Sequence, residues 1–264
     1  MNGWTKSREQ EQVDALAKKW SRRISIVGLP VAILIHTVTA LIFATQASRS
    51  WWNTAVLPPD FISVAVASGT ALVLVISLVA VGRDRFSEYQ GAFRNLALIV
   101  AGALVVHFFL VSVDLLVHWW WGKPEGLEVL SLVFGRYGPV YATEILLPAF
   151  TMFYFFSNRG SSSYNSLLGG SALLFVGVFA HRLMLMFPSF NAIPLSLSLP
   201  GLGIENWSYP IASGQLREGM SVFVSFWPYS PSPVEYAVAL LPFGLILFVV
   251  SYALTLYNFL PQKR

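Results

Sequence analysis

The chain has 264 residues, of which 55% are hydrophobic and only 11% charged; it has no cysteine and a net charge of +4, and its mean hydropathy is +0.62. Average globular chains carry roughly 25% charged residues, so this composition excludes a soluble enzyme, and the lack of cysteine excludes disulfides, zinc-thiolate sites and thiolate-held iron-sulfur clusters. The few charges sit between long apolar stretches rather than in a basic patch, which sets nucleic acid aside as a partner and makes the lipid bilayer the solvent.

Residues 1–22 are charged, with apolar positions too sparse to span a membrane, and read as a short amphipathic helix on the cytoplasmic surface. The apolar run that follows is too long for the h-region of a signal peptide and has no small-residue cleavage site. Apolar runs of about 20 residues, enough to cross a core of ~30 Å, then lie at 23–46, 61–82, 94–119, 138–157, 166–187 and 234–259. The expected fold is therefore all-α: a polytopic transmembrane bundle of about six spans over residues 23–264. Pro148 and Pro242 fall inside spans and predict kinks. Gly69, Gly102, Gly169, Gly170 and Gly177 read as points of close helix packing. The connection 188–233 has seven prolines and only Glu205, Arg217 and Glu218 as charges. It is too apolar for a free linker and is expected to pack on its own bundle or on a partner subunit.

Alternate loops place twelve Lys and Arg residues on one side, Lys6, Arg8, Lys18, Lys19, Arg22, Arg23, Arg83, Arg85, Arg94, Arg159, Lys263 and Arg264. Four lie opposite (Arg49, Lys123, Arg136, Arg217), and Arg182 is inside a span. That bias predicts both termini in the cytoplasm. Trp51, Trp52, Trp119, Trp120, Trp121 and Trp227 then fall at the outer interface, where indole rings prefer to lie.

Ionisable residues inside spans are functional candidates because burying them in lipid is costly. They are His36, His107, Asp114, Glu144, His181 and Arg182, with His118 nearer the interface. His107, Val111, Asp114 and His118 follow a 4, 3, 4 spacing and share one helix face, expected to point into the bundle. Asp114, Glu144 and Arg182 fall at a similar depth and could meet. Two carboxylates and one guanidinium would leave one negative charge unbalanced, an arrangement suited to passing protons. The blander alternatives are an ion pair that locks helices together, a His36 bonded to a backbone carbonyl, and a wet interfacial His118. His36 and His107 also lie at similar depth on different helices, the arrangement a b-type haem needs. A proton-coupled carrier would show internal symmetry, and none is visible. Nor is there a Walker loop, a Rossmann glycine pattern, a His-Glu-x-x-His or a nucleophile elbow.

Residues 27–76 resemble the NrfD/PsrC/HybB family of membrane subunits. His36-Thr37, Trp52-Asn53, Pro58-Pro59, Phe61 and Ser68-Gly69 stand where that family has a His-Ser-type pair, a Trp-His loop ending in Pro-Pro, and a Phe-containing helix with Ser-Gly. Tyr229 to Glu235 is similar to the family's Tyr-x-Pro-Ser-x-x-Glu before its last helix, the Asn-Phe-Leu-Pro at 258–261 fits its exit, and His181-Arg182 is similar to its Glu-Arg. The chain departs from the pattern at Ile42, where the family often has an acid, and at His181 in place of the glutamate. The resemblance covers nearly the whole chain and corresponds to the C-terminal six helices of roughly ten-helix members.

The resemblance implies a subunit of a respiratory oxidoreductase in the inner (cytoplasmic) membrane that exchanges electrons with quinone, menaquinone or ubiquinone, and holds no haem or iron-sulfur cluster itself. It implies an iron-sulfur subunit with a multihaem cytochrome or molybdopterin subunit as partners, and room for a second NrfD-like chain that supplies the missing first bundle. In that setting His36, His107, Asp114, Glu144 and Arg182 are expected to form a quinone or proton pathway. The alternatives are a structural anchor without its own quinone site, or a b-type cytochrome.

Overall fold

A computed structural model describes residues 3–47, 49, 51–121, 124–191, 196–199, 204–208, 211–212, 223–224 and 232–257. Seven helices run through them: α1 (Gly3–Ala44), α2 (Leu57–Val81), α3 (Phe86–Trp121), α4 (Pro124–Phe134), α5 (Gly138–Phe156), α6 (Tyr164–Asn191) and α7 (Pro233–Tyr257). Among the described residues α1, α2, α3, α5 and α6 are long and apolar enough to cross a membrane, so the chain is a multi-pass helical membrane protein. Between α6 and α7 lie two short antiparallel strand pairs. The strands β1 (Ser196–Leu199) and β2 (Ile204–Ser208) form one, and β3 (Ile211–Ala212) and β4 (Phe223–Val224) the other.

Several boundaries differ from the sequence expectation. The N-terminal segment is not a separate surface helix but the start of α1, which runs unbroken for 42 residues, about 63 Å at 1.5 Å per residue. Nothing in 3–23 stops a helix, and the change from charged to apolar residues marks a change of solvent rather than of structure. Helix α3 begins at Phe86, about two turns before its apolar run. Helix α4 is too short for a search tuned to spans of about 20 residues, and α6 continues through Pro188 to Asn191. The long connection therefore begins after Asn191. How its side chains pack, and where Trp227 sits, lies outside the described residues.

The unit formed by residues 1–226 holds α1 to α6. Its dry core joins Ala67, Ala71, Leu74 and Leu78 of α2 to Ala97, Val100, Ala101 and Leu104 of α3, closed by Phe155 of α5 and Leu167 and Leu174 of α6. Two glycines of α6 make its approach to α5 possible. A Cβ at Gly177 would lie 2.5 Å from Pro148 Cδ, and one at Gly170 would lie 2.4 Å from the Phe155 ring. Gly69, Gly102 and Gly169 have nothing that close, so the packing reading holds for two of the five. At the opposite end from this core, the segment after α1 is fastened onto α6. Pro188 has no N–H to offer the Met184 carbonyl, and the Trp51 indole N–H donates to that carbonyl at 3.2 Å. Trp52 Nε1 donates to the Leu185 carbonyl at 2.6 Å and Arg49 Nη1 to the Ser189 carbonyl at 2.7 Å. Trp51 and Trp52 thus pack inward, whereas Trp119 and Trp120 are exposed.

The second unit, residues 227–264, contains α7. Its start is a capping box: Glu235 N–H donates to Ser232 Oγ at 3.3 Å, and the Ser232 N–H donates to Glu235 Oε2 at 2.6 Å, with Pro233 at the first helical position. The Ser-Pro-x-Glu signature has this local physical purpose. The helix continues through Pro242.

Candidate functional site

The dry core occupies only part of the bundle. Toward the tryptophan-rich end, α2, α3, α5 and α6 each turn one ionisable side chain inward, and the four meet. His107 Nδ1 of α3 donates to Asp60 Oδ1 of α2 at 2.6 Å. His181 Nδ1 of α6 donates to Glu144 Oε1 of α5 at 2.7 Å, and its Nε2 lies 3.4 Å from Asp60 Oδ2. Residue exposures of 5% for Asp60 and Glu144, 2% for His107 and 8% for His181 put the set inside the protein. The result is an alternating line, Glu144–His181–Asp60–His107, in which the rings of the two histidines meet edge to face at 5.2 Å. His181 bonds Glu144 through Nδ1, and its buried Nε2, although near Asp60, makes no hydrogen bond. Such a line suits low-dielectric surroundings, because each charged group has an opposite partner and a directed hydrogen bond.

Each member owes its place to local structure. Asp60 sits in the first turn of α2, just after Pro58 and Pro59, where proline is tolerated and the helix dipole favours an acid. Glu144 lies one turn before Pro148, whose ring removes the helical donor for the Glu144 carbonyl. The pairing of Pro148 with Gly177 brings α5 close to α6.

One side of the line faces a cleft of about 550 Å³, mouth included, between α2, α3, α5 and α6. Asp60, Asp114, Tyr141, Glu144 and His181 are its polar lining along with Thr54, and Trp51 contributes an aromatic wall. Thr54 donates to Asp114 Oδ1 at 2.6 Å. His118 Nδ1 donates to the Asp114 carbonyl at 2.9 Å and its ring packs 5.8 Å from that of Trp51. The α3 face read from its spacing does point inward: Val111 and Asp114 line the cleft, with His107 buried beneath.

Two expected members lie elsewhere. Arg182 does not join Asp114 and Glu144; its guanidinium sits 4.3 Å over the Phe61 ring, because one residue along a helix turns a side chain by about 100° and His181 takes the inward direction. His36 is half-exposed on α1 and donates from Nδ1 to the Ala32 carbonyl of its own helix at 2.8 Å. The buried His107 is engaged with Asp60 through Nδ1. The member that sequence reading misses is Asp60, which stands one residue before the apolar run that starts at 61. Its signal is Pro-Pro-Asp, the start of a helix. Among the described residues no group of three or more His, Cys, Asp or Glu is disposed to hold a metal ion.

Fold and site together define a helical membrane protein with a buried acid-imidazole line opening onto an intramembrane cleft. The profile of the polysulphide reductase NrfD family matches residues 5–194, and the chain belongs to that family. It is 25% identical over 257 residues to a Halobacterium salinarum protein named as the membrane subunit of a dimethyl sulfoxide reductase, covering 91% of this chain and 53% of that one. It is 26% identical over 125 residues to a selenate reductase subunit of Mesobacillus selenatarsenatis, covering 47% of this chain and 24% of the relative. The chain thus spans about half or less of the length of these relatives.

Proposed function

We propose that this chain is a membrane subunit of a respiratory reductase complex, in the cytoplasmic membrane, and that quinone or quinol meets the protein in the cleft beside Glu144 and His181. The observation that carries this reading is the alternating line from Glu144 to His107 opening on an aromatic-walled, mostly apolar cleft. Quinone chemistry moves two protons with two electrons. A chain of carboxylates and imidazoles gives those protons a route through low dielectric, where a lone charge would be costly. The electrons come from or go to partner subunits, in this reading an iron-sulfur protein with a cytochrome or molybdopterin enzyme. The chain's own part is to bind the ring, orient it and exchange its protons.

The test is turnover of the assembled complex with a quinone or quinol as electron partner, comparing wild type with E144Q, D114N and D60N. Slower quinone-coupled turnover, with subunit composition unchanged and activity toward an artificial soluble electron partner retained, is the expected result. Full quinone-coupled activity in all three variants would overturn it.

A further inference from the structure

We infer that the connections α2–α3 and α5–α6, at the end of the bundle away from the cleft, form a binding surface for acidic phospholipids, with Arg83 and Arg94 holding the headgroup phosphate. No residue that lines the cleft takes part, so this surface and the quinone reading stand or fall separately.

The spans fix the level. Residues 82–85 join α2 to α3 and residues 157–163 join α5 to α6, and connections this short between apolar spans keep their side chains where hydrocarbon gives way to headgroups. Residues 82–94 and 157–165 carry four arginines, Arg83, Arg85, Arg94 and Arg159, against two acids, Asp84 and Glu88. Glu88 pairs with Arg85 at 3.2 Å. Among the described residues Arg83 and Arg94 form no ion pair. Each donates instead from Nη2 to a neutral amide oxygen across the two connections, Arg83 to Asn165 Oδ1 and Arg94 to Asn158 Oδ1, both at 2.8 Å. Gln90 Nε2 adds a tie to the Ser162 carbonyl at 3.0 Å, and the Arg83 guanidinium lies 5.4 Å over the Tyr164 ring. An amide fixes the direction of a guanidinium without cancelling its charge. Both arginines are exposed, and each keeps N–H groups on its other nitrogens, in the fork that matches phosphate oxygens. A guanidinium already held in place also loses less freedom on binding. The sequence has no acid between Glu144 and Glu205, so the α5–α6 connection has nothing to repel an anion. What favours a lipid over a soluble anion lies directly below. Phe150, Phe153 and Phe156, toward the end of α5, are exposed and offer an apolar wall to an acyl chain. Charge followed by aromatic surface is the order in which a phospholipid presents its own phosphate and chains.

The experiment is native mass spectrometry of the purified full chain in a non-ionic detergent, titrated with dioleoyl phosphatidylglycerol or with dioleoyl phosphatidylcholine, which share acyl chains and differ in net charge. The expected result is a Kd for the acidic lipid at least about tenfold below that for the zwitterionic one. R83Q/R94Q should reduce that ratio below about threefold, whereas R85Q/E88Q, which removes a matched pair and leaves the net charge alone, should keep it. Equal affinity for the two lipids would overturn the proposal and leave this face to an acidic partner protein. An unchanged ratio in R83Q/R94Q would move the preference to another basic segment, such as Lys18 to Arg23, and overturn the assignment. An equal loss in R85Q/E88Q would overturn the role given to the amide-held pair. If the double variant does not fold, R83Q and R94Q singly must each lower the ratio, and retention in both overturns the assignment.

Discussion

Helices α1 and α6 are both long and apolar, and each carries a histidine, yet they handle polar groups in opposite ways. In α1, His36, Thr37 and Thr39 all bond to carbonyls of their own helix, four residues back, at 2.8 Å. In α6, His181 reaches two other helices. Only 6% of the apolar window of α1 is buried inside the protein, against 44% for α6. A polar side chain facing lipid has only its own helix for a partner, so it folds back. One facing another helix can be matched, and once matched it can exchange protons. Residue type alone does not separate the two cases; the neighbouring helix does.

The sharpest way to break this contrast is to remove each histidine in turn. H181L leaves Glu144 buried without its partner and is expected to destabilise the fold by about 3–5 kcal/mol, read as a lower melting temperature in detergent. H36L is expected to change stability by less than about 0.5 kcal/mol. Equal losses would show that His36 has a partner of its own. A smaller effect is expected from the glycines. G177L forces α5 and α6 apart at Pro148 and should cost roughly 1–3 kcal/mol, whereas nothing lies within 4 Å of a Cβ at Gly28 of α1, so G28L should not lower the melting temperature. The smallest concerns the fastening of the first loop. W52F keeps the ring but loses the 2.6 Å bond to the Leu185 carbonyl and should cost about 1 kcal/mol.

Much of the fold is legible because the bilayer imposes a length on apolar runs, and the α3 face is legible because helical spacing fixes which residues share a side. Three things are not. The continuity of α1 across residue 23 is invisible to hydropathy, which reports solvent and not backbone. Asp60 is hidden because hydropathy starts the span one residue too late, although Pro58 and Pro59 mark a helix start. The choice between His181 and Arg182 depends on the rotation of α6 against α2 and α5. That rotation is set by contacts such as Gly177 on Pro148, which no single helix's periodicity contains.

The loop after α1 holds α6 through main-chain oxygens, those of Met184, Leu185 and Ser189. A backbone carbonyl is the same whatever side chain it carries. The side chains at 184, 185 and 189 can therefore drift among residues of similar bulk without undoing the clasp, while Pro188, which leaves the Met184 oxygen unclaimed, cannot be exchanged so freely. Mutational scanning should find tolerance at the three acceptor positions and intolerance at the donors Arg49, Trp51 and Trp52, an asymmetry between the two sides of one contact.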